Sequence, residues 1–192
     1  MSTYHHGDLR AALLQAGAEL LEEQGLAALS VRETARRAGV SHNAPYRHFP
    51  DRDSLLAALA AEGFRMLEEA LAAKDTRESG EAYVRFALAH PNRFRLMFGV
   101  RVQMDKHAEL RVAARRTYEG LVAGFRARPE IGDPEKAAAA AWCLVHGLAQ
   151  LLLGGHFPAR EKEAFVRSVI GAVRFAVASR PLSSADSPNA GP

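Results

Sequence analysis

Alanine and leucine supply 59 of the 192 residues, whereas valine, isoleucine and threonine together supply 18. Alanine and leucine cost least in a helix, and β-branched side chains are what strands rely on. The imbalance selects an all-α fold. Periodicity agrees with it. Leu9, Leu13, Leu14, Leu20 and Leu21 recur at helical spacing with Arg10, Glu19, Glu22 and Glu23 between them. They predict a first helix over 8–24, closed by Gly25 in the left-handed conformation.

The next elements are short. Ser30-x-x-Glu33 has the form of a capping box, in which the hydroxyl and the carboxylate serve each other's backbone N–H. A helix over 30–38 follows and Gly39 stops it. Ser41 can cap a third helix over 42–48, and Asp51 a long fourth one over 51–74 whose apolar face carries Leu55, Leu56, Leu59, Met66, Leu67 and Leu71. Residues 75–80 form a polar break. Further helices are predicted over 82–90, 92–98, 107–127, 135–153 and 160–179. The Pro-, Ser- and Asn-rich tail 181–192 is expected to be disordered.

Composition also excludes functions. One cysteine, Cys143, cannot make an internal disulfide and fits a reducing cytoplasm. The start MSTYHHGDLR lacks a basic segment followed by an apolar run, so a signal peptide is not expected. Residues 137–153 are apolar, but that run falls short of the roughly 20 residues of a membrane span, and a buried soluble helix is expected there instead. Cys143 and His146 lack a second pair with ligand spacing, so neither a metal nor another cofactor is expected. No glycine-rich phosphate loop, His-Glu-x-x-His or Gly-x-Ser-x-Gly occurs, and an enzyme is not expected.

Two short helices joined by a glycine turn have the spacing of a helix-turn-helix. Gly39 supplies the positive φ of the tight turn. The second helix would present His42, Asn43 and Arg47 on one surface. The net charge of +3 is too small to argue for nucleic acid, but five arginines face two acids between Ser30 and Arg52 (Arg32, Arg36, Arg37, Arg47, Arg52 against Glu33, Asp51). Across 1–55 the excess vanishes, so the charge is a patch.

The stretch LSVRETARRAGVSHNAPYRHFPDRDSLLAAL resembles the DNA-binding segment of TetR-family transcriptional regulators: a helix, Ala-Gly-Val-Ser, Tyr-x-His-Phe, then a capped helix with a basic start. AYVRFALAHPNRFRLMF and AWCLVHGLAQLLL resemble a C-terminal domain named for a Trp-His-Gly signature, here Trp142, His146 and Gly147. The resemblance spans nearly the whole chain except the tail. It departs from the family at Pro45, inside the recognition segment.

The resemblance implies a helix-turn-helix domain over 1–50, a helical effector-binding and dimerisation domain over 51–180, and a dimer on a palindromic double-stranded DNA operator, released by a small apolar effector. It implies backbone contacts for Tyr46 and His48. Helix-turn-helix docking assigns His42 and Asn43 to base edges, and Arg47 to a base or a phosphate. Arg52 adds charge at a positive helix end. Ser30 and Ser41 are caps that can also donate to phosphate, and Arg32 completes the set. Phe49 is expected in the core. Of Arg36 and Arg37, at least one is expected to be merely solvated.

Candidate effector-pocket residues are Phe94, Met97, Phe98, Met104, Tyr118, Phe125, Trp142 and His146, an aromatic and Met-rich set suited to an apolar ligand. For Trp142 and His146 a plain core role with a backbone hydrogen bond is an equal reading. The last two helices are apolar beyond one monomer's need, so a homodimer is expected through them, with no membrane partner. Two other classes fit the same composition: a dimeric helical adaptor, and a helical enzyme with a vestigial helix-turn-helix.

Overall fold

Local chemistry starts and stops the helices of the computed structural model, which describes residues 6–72, 75–99, 104–157 and 162–172. Among these are eight α-helices and no strand: α1 (His6–Gln24), α2 (Val31–Arg37), α3 (Arg52–Leu71), α4 (Thr76–Ala89), α5 (Pro91–Gly99), α6 (Ala108–Arg126), α7 (Pro134–Leu153) and α8 (Lys162–Ala172). The tail 181–192 and the last residues of the expected final helix lie outside the described residues. Asp51 accepts the Ser54 N–H at 2.7 Å, and Asp133 accepts that of Lys136 at 3.0 Å. Gly25 (φ 77°, ψ −179°) ends α1 and Gly39 (φ 68°) turns the chain after α2; both use the positive φ open to glycine, but Gly25 has an extended ψ and not the left-handed helical one expected of it.

Three local expectations change. Residues 75–80 are not a break but the first turn of α4, opened by an Asp75/Glu78 capping box with Asp75 accepting the Glu78 N–H at 2.8 Å. That box is local chemistry which polar composition hides. Ser30 does accept the Glu33 N–H at 3.1 Å, but the Glu33 carboxylate turns to Arg36 instead of back to the cap. Finally, residues 42–48 are not an α-helix. They contain a four-residue 3-10 turn, Ala44–Arg47, with no side-chain cap from Ser41 or Asn43. Pro45 is the physical reason: without an N–H it cannot bond to residue 41. The turn is held by Ala44 N–H to Ser41 O (3.1 Å) and His48 N–H to Pro45 O (2.8 Å).

The buried core runs unbroken from Leu13, Leu20, Leu21 and Phe49 through Leu55, Leu59 and Leu67 to Tyr83, Phe94 and Val145. α3 is its axis, packing against α1, α4, α5 and α6. Gly63 lets α5 approach: a Cβ there would stand 2.7 Å from Met97 Sδ. A second cluster, Val122, Phe125, Ile131, Ala138 and Ala141, joins the end of α6 to the start of α7.

α7 is 20 residues long with a hydropathy of 1.4, so by length and composition it could cross a membrane, contrary to the shorter apolar run counted from sequence. Only 33% of it is buried by the rest of the chain. Ala138, Ala141, Val145, Leu148, Ala149 and Leu152 face inward against α4 and α6. Ala140, Cys143 and Leu151 face out.

Candidate nucleic-acid interface and effector cavity

The turn between α2 and α3 sorts its side chains by burial. Pro45 and Phe49 are buried, whereas Ser41, His42, Asn43, Tyr46 and Arg47 are exposed and His48 is half-buried. Phe49 is 2% exposed, and the Arg10 guanidinium lies 5.8 Å from its ring centre. A rigid apolar root therefore carries a hydrogen-bonding crest. The crest lies between α2 and α3 on a backbone that is a 3-10 turn.

The arginine patch is thinner than its count. Arg36 is bound to Glu33, with Nε–O distances of 2.9 and 3.0 Å. This bond holds the Glu33 carboxyl below its ordinary range. Arg37 reaches back to α1, meeting Glu23 at 2.6 and 2.8 Å and Glu19 at 3.2 Å. Arg52 donates to Leu29 O (2.7 Å) and Leu26 O (2.8 Å), clamping the loop that precedes α2. Two of its five N–H donors are thus spent on carbonyls, a use that no local sequence signal indicates. Arg32 and Arg47 are exposed and make no ion pair among the described residues. They are the free cations of this face. Ser30 is committed as a cap, while the exposed Ser41 hydroxyl caps nothing.

The second site is a cavity of about 290 Å³ between α3, α4, α6 and α7. Of the expected pocket residues, Phe98, Met104, Tyr118 and Trp142 line it. Phe94 and Met97 do not; they are buried at 0% and 4% exposure beneath it, where α5 meets Gly63 and Tyr83. Phe125 lines an adjoining outer cavity of about 330 Å³ that shares Leu71, Thr76, Ser79, Thr117 and Leu121 with the inner one. The sequence reading lacked Phe64 and Tyr83 from α3 and α4. Tyr83 is an aromatic inside a predicted helix, and only its partners reveal its place.

His146 stands behind the wall, neither in plain core packing nor bonded to a backbone carbonyl. Its ring centre is 4.9 Å from that of Phe98 and 5.3 Å from that of Phe94. The Tyr83 hydroxyl accepts the Trp142 Nε1–H at 3.1 Å and meets His146 Nδ1 at 2.9 Å. Indole only donates, so the hydroxyl accepts from it and shares a further hydrogen bond with Nδ1 whose direction follows the imidazole tautomer, while Nε2 lies 3.3 Å from the Gln150 amide nitrogen. Burial pushes the imidazole below its ordinary pKa and the phenol above its own. Both are neutral at pH 7.

This predicts a pH dependence. The unfolded chain carries an ordinary imidazole and binds more protons than the folded one, so stability is full above about pH 6.5 and falls as the pH drops through that value. Thermal melts at pH 7.5 and 5.5 are expected to show the loss, and His146→Gln to shrink it. An equal loss in the variant would exclude His146 as its source.

Among the described residues no three His, Cys, Asp or Glu side chains gather as metal ligands would. Comparison with known proteins bears on both sites. Residues 13–59 match the profile "Bacterial regulatory proteins, tetR family", and residues 76–173 match "Tetracyclin repressor-like, C-terminal domain". A solved protein of unknown function from Rhodococcus sp. RHA1 is 35% identical over 90% of this chain and 94% of its own, with a TM-score of 0.73. A possible TetR family transcriptional regulator from Streptomyces coelicolor A3(2) is 24% identical over 83% of this chain and 80% of its own, with a TM-score of 0.60. The multidrug binding protein EbrR, solved with ethidium, is 22% identical over 84% of this chain and 96% of its own, with a TM-score of 0.61. The last two share the fold.

Proposed function

The chain belongs to the TetR family of bacterial regulatory proteins, and on that premise we propose that it is a ligand-responsive repressor that grips a palindromic operator as a dimer. The reading as a helical enzyme falls with the family, whose members regulate transcription. The observation that carries the proposal is the exposed crest of His42, Asn43, Tyr46 and Arg47 on the buried root of Pro45 and Phe49. Asn43 and His42 meet base edges, Tyr46 and His48 meet phosphate oxygens, and Arg32 and Ser41 flank them. Arg47 is free for either partner. Arg52 and Ser30 serve the frame that holds the crest.

The low burial of α7, only 33% of it covered by the rest of the chain, supports dimerisation. A second copy would cover its outward Ala140, Cys143 and Leu151, with Ala164, Ser168 and Gly171 of α8 alongside. Small side chains permit the close helix approach that a four-helix interface needs.

α5 is the physical link between the cavity and the DNA-binding face. Phe98 near its end lines the cavity. At its start Asn92 donates to Glu22 O of α1 (3.2 Å), and the buried Arg93 bonds Glu62 of α3 (3.1 Å). A second link runs from Arg10 of α1 to Glu109 of α6 (2.7 Å) and on to Arg65 of α3 (3.0 Å). A ligand that displaces Phe98 acts through α5 on the seat of α1. Its effect on operator affinity is bounded by its preference between the two states, typically about 1–3 kcal/mol.

Retention of genomic fragments by the purified protein, followed by footprinting, tests the proposal. A protected site with twofold symmetry and steep salt dependence is expected. Retention without sequence preference would reject it in favour of an adaptor.

A further inference from the structure

The inner cavity is apolar and aromatic, but its chemistry is more specific than that. Among the described residues no Asp, Glu, Lys, Arg or His side chain lines it. Two charged side chains on the same helices are paired outside it: Glu68, which lines the outer cavity, with Arg116 at 3.0 Å, and Arg77 with Glu81 at 3.5 Å. The wall's polar atoms are hydroxyls, and they divide into two groups. Those of Tyr83 and Thr117 are consumed, the first by Trp142 and His146, the second by Phe64 O (3.3 Å) and Ala113 O (3.1 Å). Those of Thr76, Ser79 and Tyr118 have no hydrogen bond among the described residues, and of these three Thr76 and Ser79 line both the inner and the outer cavity, at the junction of the two.

An ion entering such a chamber loses its water and finds no counter-charge. The aromatic faces of Phe64, Phe98 and Trp142 repay a cation only in part and an anion not at all. The same faces stack well on a neutral ring. From these facts we infer that the effector is an uncharged, ring-bearing molecule, held by its apolar body in the inner cavity with its one polar group on Thr76 and Ser79. This rests on the reading of the cavity as the effector site. A volume of about 290 Å³ limits the body to a few fused rings.

Trp142 lines the cavity and is the only tryptophan of the chain, so its fluorescence reports entry. Two matched pairs of probes isolate charge on the full-length protein at pH 8. N-phenyl-1-naphthylamine and 8-anilinonaphthalene-1-sulfonate differ by one sulfonate; acridine and 10-methylacridinium differ by a methyl group and a fixed positive charge. The neutral member of each pair is expected to quench Trp142 and to bind at least tenfold tighter than its charged partner. Leu121→Glu, which puts a carboxylate on the wall, is expected to reverse the acridine pair. Thr76→Val with Ser79→Ala is expected to weaken 1-naphthol at least fivefold and to leave naphthalene unchanged.

Charged and neutral probes binding alike would overturn the inference and leave the effector site standing. Equal loss of naphthol and naphthalene would overturn the assignment of the polar end. If none of the probes altered Trp142 emission, the inference and the effector site would fall together.

Discussion

Phe49→Ala is expected to destabilise the protein by about 3–5 kcal/mol, the usual cost of removing a buried phenyl ring. For a chain of this size that is a fall of roughly 10 °C or more in melting temperature. The ring is 2% exposed and sits in the core with Leu13, Leu20 and Leu55. It is also the root of the crest: the next buried anchor in that turn is Pro45, whose carbonyl accepts the Phe49 N–H at 2.9 Å. Losing the ring frees Tyr46 and Arg47 from their fixed positions, so specific DNA binding should go with stability. Phe49→Leu refills most of the space and should recover the larger part of both. Melts at one fixed protein concentration decide it, since a dimer's melting point moves with concentration. A loss below about 1 kcal/mol would mean that the turn is held by something other than this ring.

Arg47→Ala is expected to weaken operator binding by about 1–3 kcal/mol per half-site, or roughly 5- to 150-fold, while Arg36→Ala leaves it nearly unchanged. Both arginines are exposed and both lie in the same basic patch. The difference is their partners. The Arg36 guanidinium is held by Glu33 at hydrogen-bonding distance, and releasing it to a phosphate would cost that pair. Arg47 makes no such pair among the described residues. Titration across a series of salt concentrations also assigns the contact. A phosphate contact lowers the salt slope by about one per arginine, and a base contact lowers the discrimination between sequences instead. Equal losses for Arg36→Ala and Arg47→Ala would show that the ion pair does not govern which charge meets DNA.

Helices and their ends are decided within a few residues. The Leu9–Leu13–Leu20 spacing, the Ser30 and Asp51 caps and the glycines at 25 and 39 act over one turn of backbone, so the all-α fold and most boundaries follow from the chain alone. Even the two boundary errors have local causes, the Asp75/Glu78 box and the missing N–H of Pro45. The sites obey longer distances. Arg37 is neutralised by Glu23 from α1, Arg10 finds Glu109 across 99 residues of chain, and Tyr83 meets His146 and Trp142 about 60 residues away. Nothing near an arginine in the chain tells whether a carboxylate from another helix will reach it, and nothing near a phenylalanine tells whether it faces a void or a neighbour. Side chains of one type are equivalent until packing gives each its surroundings, and so burial and pairing, which set the chemistry of both sites, belong to the tertiary structure.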